Sequence, residues 1–318
     1  MKKTSKYKKR VDIVTSTLNE ENNIGELYYR IKSVMRQEKA YSWRLIICDN
    51  FSQDKTWQII SQLADKDRRV LGIRLTRDFK LDNSFSCGLD HCEGDVAVFM
   101  ASDLEDPPEL ISSFLRSHES GNLHVAAQIT HREDMPWLRR FLTQVFYRLL
   151  FDFSKGMIQK NVSDFRLVDR KVYSAAKLLG EKDRFMRGIF AWTGYPATLI
   201  PITRQRRQRG VSSFERKKLV SAVDQSLEWI YAFSKVPLKI ISIFGILVGF
   251  LALLCFAVVF VVVLTKGVPF AGFGSLVSIM LLGFSCVFIF LGVIGTYLGL
   301  IFDESKSRPI YIIRDKTF

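Results

Sequence analysis

Residues 96–109 read VAVFMASDLEDPPE: six apolar residues run straight into Asp103, Glu105 and Asp106, and then into Pro107 and Pro108. A short Val-rich run closed by turn-forming residues predicts a buried strand rather than a helix. The prolines suit a turn leading into a helix near Glu109 to Leu115. Outward from this stretch, Val11 to Leu18, Trp43 to Cys48 and Val70 to Leu75 are similar runs, separated by segments with helical patterning. Such alternation predicts an α/β domain built on a parallel sheet. Open sheets of this kind bind ligands beyond the carboxyl ends of their strands. The residues there are polar every time: Asn19 and Glu20, Asp49 and Asn50, Arg77 and Asp78, then Asp103, Glu105 and Asp106. A lone acidic residue after a strand is commonly a helix cap, and Asp54 and Asn22 admit that reading. Carboxylates after three of the four runs point instead to one cleft for a metal-linked or hydroxyl-rich ligand.

No GxxxxGK[ST] occurs and no GxGxxG follows the first strand, so neither phosphate-cradling glycine loop is supported. Asp103 and Glu105 offer hard oxygen ligands for Mg²⁺ or Mn²⁺, which would bridge a diphosphate. Zinc is disfavoured, because His91, His118, His124 and His131 lack ligand spacing. Cys48, Cys87, Cys92, Cys255 and Cys286 show no CxxC pair and read as reduced packing residues.

Over 318 residues, 46 Lys+Arg against 32 Asp+Glu give a net charge of +14, while 48% of residues are hydrophobic. These values exclude a disordered chain, which lacks apolar mass, and a many-span transporter, which lacks so much charge. The charge is unevenly divided: residues from Val236 onward carry +3 and the preceding 235 carry +11. Ile240 to Leu264 runs 25 residues without a charge and Val268 to Phe302 runs 35. About 20 apolar residues span a bilayer core, so two transmembrane helices are expected over 236–302. Lysines and arginines flank the pair at Lys235, Lys239, Lys306, Arg308, Arg314 and Lys316, against Lys266 alone in the turn. That bias puts both termini in the cytoplasm and the chain in the inner membrane as a multi-pass protein. The basic tail of residues 1–10 has no apolar h-region behind it and is not a signal peptide.

Two further segments have interfacial character. Trp137 to Phe153 alternates an apolar face with Arg139, Arg140 and Arg148, as an amphipathic helix at a membrane interface or an ordinary core-facing helix would. Residues 217–235 form a second candidate, joined directly to the first span. Between them Arg204, Arg206, Arg207 and Arg209, with Arg216, Lys217 and Lys218, make a basic stretch suited to ligand phosphates and anionic lipid. Nucleic acid is the weaker partner, since aromatic residues are not interleaved there. Gly295 and Gly299 form a GxxxG, too common a pattern to establish a homo-oligomer.

Taken in order, these motifs resemble a known family. Asn19-Glu20-Glu21-Asn22 matches NEExN, residues 49–56 look like DDGSxDxT, and residues 101–109 are similar to DADLQDPPE. Residues 163–167 look like GDFRL, Arg204, Arg207, Gly210 and Ser212 fit RxxRxxGxS, and residues 308–311 match RPxY. The set, with the terminal hairpin, resembles the family 2 inverting glycosyltransferases that act on polyprenyl phosphates, related to dolichol-phosphate mannose synthase. The resemblance implies a GT-A type domain over residues 11–216, a juxtamembrane helix over 217–235, the hairpin and a cytosolic tail over 303–318. It implies transfer of a sugar from a UDP- or GDP-linked donor to a polyprenyl phosphate, undecaprenyl phosphate above all. By position, Asn19, Glu20, Asp49, Asp54, Arg77 and Asp103 would bind the nucleotide sugar, and Asp103 and Glu105 the metal. Asp164, with Asp103, would stand at the reacting centre, and Arg132, Arg166, Arg204, Arg207 and Ser212 would hold phosphates.

The chain departs from the family pattern at Ser16, Asn50, Phe51, Lys80, Ala101 and Ser213. Ala101 removes the first carboxylate of DxD, whereas Glu105 restores a negative charge two residues beyond Asp103. A relative that kept the fold and lost catalysis is the rival this raises, alongside a transferase with another lipid or polysaccharide acceptor. A translocase is disfavoured, because two uncharged spans offer no pathway. Asp164 has two readings, an acceptor-orienting or proton-accepting group, or an ion-pair partner of Arg166 or Arg170.

Overall fold

The computed structural model describes residues 8–131, 162–181, 184–203, 272–306 and 308–318, with scattered positions between 244 and 265. The basic tail before residue 8, the segments 137–153 and 217–235, and Arg132, Arg204, Arg207 and Ser212 lie outside the described residues. In chain order the elements are β1 (Lys9–Thr17), α1 (Ile24–Gln37), β2 (Tyr41–Asp49), α2 (Thr56–Lys66), β3 (Val70–Leu75), α3 (Leu81–Asp90), β4 (Val96–Ala101) and α4 (Leu110–Glu119). Then follow β5 (His124–His131), β6 (Val162–Asp169), α5 (Arg170–Lys177), α6 (Met186–Trp192), β7 (Thr198–Thr203), α7 (Phe273–Ser305) and β8 (Ile313–Lys316).

The strands form one sheet in the order β7-β5-β6-β4-β1-β2-β3-β8. Strands β1 to β4 are parallel, as their βα alternation predicts. The sheet as a whole is mixed, which corrects the purely parallel expectation: β6 runs antiparallel to both β4 and β5, and β8 runs antiparallel to β3. Strand β7 carries Pro201, which cannot donate to a ladder, and accordingly lies at the sheet edge.

Alternating side chains of the central strands feed two cores. Ile13, Leu45, Ile47 and Val98 pack with Ile24 and Leu27 of α1, Ile60 of α2 and Phe114 of α4. Val14, Ile46, Cys48 and Phe99 pack with Phe85 of α3, Val172 of α5 and Phe190 of α6. Burial on both faces explains why these strands read as continuous apolar runs rather than as alternation.

Two compact units divide the chain, one of residues 1–226 with 308–318, the other of residues 227–307. The C-terminal residues, expected as a tail, are thus part of the first unit. The Thr317 amide donates to Gly72 O at 3.0 Å and its hydroxyl accepts from the Gly72 amide at 2.9 Å. Gly72 has no room for a side chain, since a Cβ there would meet Ile60 at 2.6 Å and Thr317 at 3.0 Å. Tyr311 donates from its hydroxyl to Asp90 at 2.8 Å, and burial pushes its phenol well up.

In the second unit α7 is 33 residues long. Among the described residues no helix is long and apolar enough to cross a membrane. Most of the expected first span, Ile240 to Leu264, lies outside the described residues.

Ending the chain at Ile310 removes β8 and bares the edge of β3. We expect the melting temperature to fall by about 5 °C or more, and by about 1–3 °C for Thr317→Ala, at roughly 2–4 °C per kcal/mol in a domain of this size. Scanning fluorimetry of the purified full-length and shortened chains measures both; an unchanged melting temperature on truncation would remove β8 from the fold.

Candidate active site

Parallel register brings the strand ends to one level. Thr17 pairs with Asp49 and Ser16 with Ala101, so the loops after β1, β2 and β4 leave the sheet side by side. Each of the first four loops turns through a positive φ at a residue other than glycine: Asn19 at 57°, Phe51 at 72°, Lys80 at 69° and Leu104 at 60°. These are the only such residues among those described. Conformations of this kind cost about 1–3 kcal/mol each and gather at functional sites.

Hydrogen bonds lace the first two loops together. The Asn19 amide donates to Ser52 Oγ at 2.9 Å, and the Gln53 amide donates to Asn19 Oδ1 at 2.8 Å. The Glu20 amide donates to Thr56 Oγ1, and the Glu21 amide to Asp54 Oδ2. Asp54 also accepts from the Thr56 amide at 3.0 Å, so its carboxylate fixes the start of α2. Glu20 is buried and accepts from Asn23 Nδ2 at 2.6 Å. Asp49 is fully buried, accepts from the Ser52 amide at 3.0 Å and has Arg74 Nε 3.3 Å from its other oxygen; burial raises its pKa. Asn50 bridges to the third loop, donating to Asp78 Oδ1 at 2.6 Å and accepting from the Phe79 amide at 2.9 Å. Arg77 lies on that third loop, exposed, with its guanidinium 4.4 Å from the Phe79 ring centre.

After β4 the left-handed turn at Leu104 lets the Glu105 amide donate to Asp103 Oδ1 at 3.2 Å. Both carboxylate residues are half-buried, while Asp106 is buried and accepts from Ser163 Oγ at 3.0 Å. No cluster of three or more His, Cys, Asp or Glu that could hold a metal ion occurs among the described residues. Two neighbouring carboxylates still fit a hard cation of the Mg²⁺ or Mn²⁺ type, which keeps several waters and takes one or two protein carboxylates beside substrate phosphate oxygens.

Pairing of Phe99 with Arg166 carries β6 past the carboxyl end of β4, so Asp164 lies at that end. Its carboxylate pairs with Arg187 of α6, whose Nε and Nη2 each donate to one carboxylate oxygen at 2.6 Å, while Arg166 Nε reaches the Asp164 backbone carbonyl at 3.4 Å. Side chains of the pair are 19% and 22% exposed. Sequence reasoning missed Arg187, which sits 23 residues away in a short helix outside every motif. Arg166, expected on acceptor phosphate, is instead 2% exposed and donates inward, from Nη2 to Ser163 O at 2.9 Å. Burial depresses its pKa to about 10. Nearby, burial first and then the Arg166 charge lower His124 to about 3. The structure therefore brings Asn19, Glu20, Asp49, Asp54, Arg77, Asp103, Glu105 and Asp164 to one edge of the sheet and sets Arg166 behind it.

Residues 12–176 match the family described as glycosyl transferase family 2. An uncharacterised glycosyltransferase of Synechocystis is 34% identical over 96% of this chain and 95% of its own length. The bactoprenol glucosyl transferase of Shigella phage SfV is 34% identical over 96% of this chain and 99% of its own. Among solved structures, glucosyl-3-phosphoglycerate synthase of Mycobacterium tuberculosis, crystallised with Mn²⁺, UDP and phosphoglyceric acid, superposes with a TM-score of 0.51. It shares 17% identity over 70% of this chain and 77% of that one, a likeness of fold.

A double-mutant cycle on Asp164→Asn and Arg187→Gln should give a coupling energy of about 1–3 kcal/mol in chemical unfolding, and additive losses would dissolve the pair. For His124, a folded pKa below the unfolded value means stability present above about pH 6.5 and lost as pH falls through about 3. His124→Gln should flatten the fall of melting temperature between pH 7 and pH 4; an unaltered slope would show that His124 is not buried neutral.

Proposed function

The chain belongs to glycosyl transferase family 2 and is a glycosyltransferase with a GT-A type domain; from that premise we propose that it moves a sugar, with inversion, from a nucleotide-sugar donor to a polyprenyl phosphate, undecaprenyl phosphate foremost. The observation that carries the acceptor is end-to-end similarity to bactoprenol glucosyl transferases, spanning the apolar C-terminal part as well as the sheet.

In the proposed reaction an acceptor phosphate oxygen bonds to the anomeric carbon as the carbon–oxygen bond to the nucleoside diphosphate breaks on the opposite face. A phosphate monoester loses its second proton near pH 6, so the nucleophile is largely ionised already. Asp164 need not take a proton, and its two oxygens already accept from Arg187. Its role in this reading is to hold that guanidinium beside the reacting centre, where positive charge offsets the phosphates. Asp103 and Glu105 would hold Mg²⁺ or Mn²⁺, which when bound neutralises the leaving diphosphate. Asn19 and Asp54 act one step back, fixing the first two loops, while Glu20, Asp49 and Arg77 frame the nucleoside side. Arg132, Arg204, Arg207 and Ser212 are proposed for the acceptor phosphate on their sequence pattern alone.

A membrane seat is part of the proposal. Helix α7 would be about 50 Å long at 1.5 Å per residue. It has no charged residue before Asp303 and exposes Leu276, Ile279, Phe284, Leu291 and Leu298. The chain leaves the first unit after Ser226 and re-enters it at Arg308. Where such an excursion enters a bilayer it crosses an even number of times, and the two charge-free segments 240–264 and 268–302 have the length for a two-span hairpin. Positive flanking residues favour cytoplasmic termini.

Full-length chain in detergent, supplied with UDP- and GDP-sugars, undecaprenyl or dolichyl phosphate and Mg²⁺ or Mn²⁺, should form a lipid-linked sugar. Chelation should abolish it, and Asp103→Asn should slow turnover about 100-fold or more. Nucleotide release without any lipid-linked product would overturn the acceptor assignment.

A further inference from the structure

The four strained loop residues differ in what their side chains do. Asn19 bonds the neighbouring loop, Leu104 is packed into the first core, and Lys80 carries an exposed cation. Phe51, at φ 72°, is half-buried and belongs to neither core. Glycine would make the same turn at no steric cost, whereas a bulky aromatic there is an outlier. The lacing around it uses the Ser52 amide, the Asn50 side chain and the Phe51 carbonyl, which accepts from Gln53 Nε2 at 3.0 Å. None of these bonds needs the ring. A strained backbone thus holds a partly exposed aromatic side chain at the carboxyl edge, outside both cores.

We propose that Phe51 is the platform on which the nucleobase of the donor stacks. The inference rests on the donor reading above. With the diphosphate held at Asp103 and Glu105 beyond β4, the strand order puts β2 two positions away, across β1. Two strand spacings are about 10 Å, the reach of a nucleoside from its diphosphate. Asp164 and Arg187 occupy the opposite flank, so the sugar and acceptor lie on that side and the nucleoside toward β2. Of the polar groups at the end of β2, Asn50 uses both its amide nitrogen and its oxygen, and Asp49 is fully buried, with one oxygen on the Ser52 amide and the other 3.3 Å from Arg74 Nε without a hydrogen bond; neither offers a flat apolar face to a base. A ring face presents no donor or acceptor pattern, so this platform receives pyrimidine and purine alike and leaves base selection to other contacts.

Calorimetric titration of the full chain in detergent, with UDP and GDP as probes and Mn²⁺ present, tests the platform. Phe51→Ala should weaken the better-binding nucleotide about 10-fold or more, and Phe51→Trp should keep its affinity. Phe51→Gly should lose affinity as Phe51→Ala does while raising the melting temperature, because glycine relieves the turn. Binding by Phe51→Ala and Phe51→Gly within twofold of wild type would overturn the platform alone. Wild-type chain that binds neither nucleotide would overturn the donor reading itself, and this inference with it.

Discussion

Parallel hydrogen bonding between β1 and its two neighbours, β2 and β4, is the constraint on which the rest of the molecule depends. Because Thr17 is in register with Asp49 and Ser16 with Ala101, the strands end together and their loops must turn at one edge. Helices return on both faces of the sheet, leaving each loop only a few residues in which to reverse. Left-handed turns at Asn19, Phe51, Lys80 and Leu104 are the consequence. The strain is tolerable because two extensive cores of buried side chains lie on the two faces of the sheet.

At that edge, the polar residues differ in what their side chains bond. Asn19, Asn50 and Asp54 spend their side chains on neighbouring backbone amides, a use that leaves little for a substrate. Asp103 and Glu105 are half-buried after β4, and the Asp164–Arg187 pair, on β6 and α6, lies at the same end of the sheet. Positive charge is layered in the same way. Arg187 stands at the edge, whereas Arg166 lies behind it, bonded to backbone carbonyl groups and stacked 5.3 Å from the centre of the Phe190 ring. His124, buried close by, stays neutral, so the interior carries one cation there rather than two.

Strand β8 gives the C-terminus a structural task. It covers the exposed edge of β3 with residues that are mostly charged, a familiar defence against edge-to-edge association. It also closes the chain: whatever residues 227–307 do, their two ends are anchored in one domain. Tyr311 and Lys316 reach Asp90 and His91 at the end of α3, the helix that follows the third loop of the site. The C-terminal residues are therefore joined by strand pairing to β3 and by side-chain hydrogen bonds to the end of α3.

The sequence by itself determined β1 to β4, the loops that follow them and the long uncharged segments, because each is encoded by near neighbours: apolar runs, turn residues and charge spacing. Runs such as Val96–Ala101 need no distant partner to be recognised as strands. Strand β8, with the short polar sequence IRDK, has no such local signature and exists because β3 offers an edge 245 residues earlier, where Thr317 meets Gly72. The pairing of Asp164 with Arg187, the burial of Arg166 and the reversal of β6 were likewise decided only by the tertiary structure. Each depends on which side chains the packed sheet brings within hydrogen-bonding distance and on how much water is removed there. Those quantities are set by the whole fold and written in no single stretch of the chain.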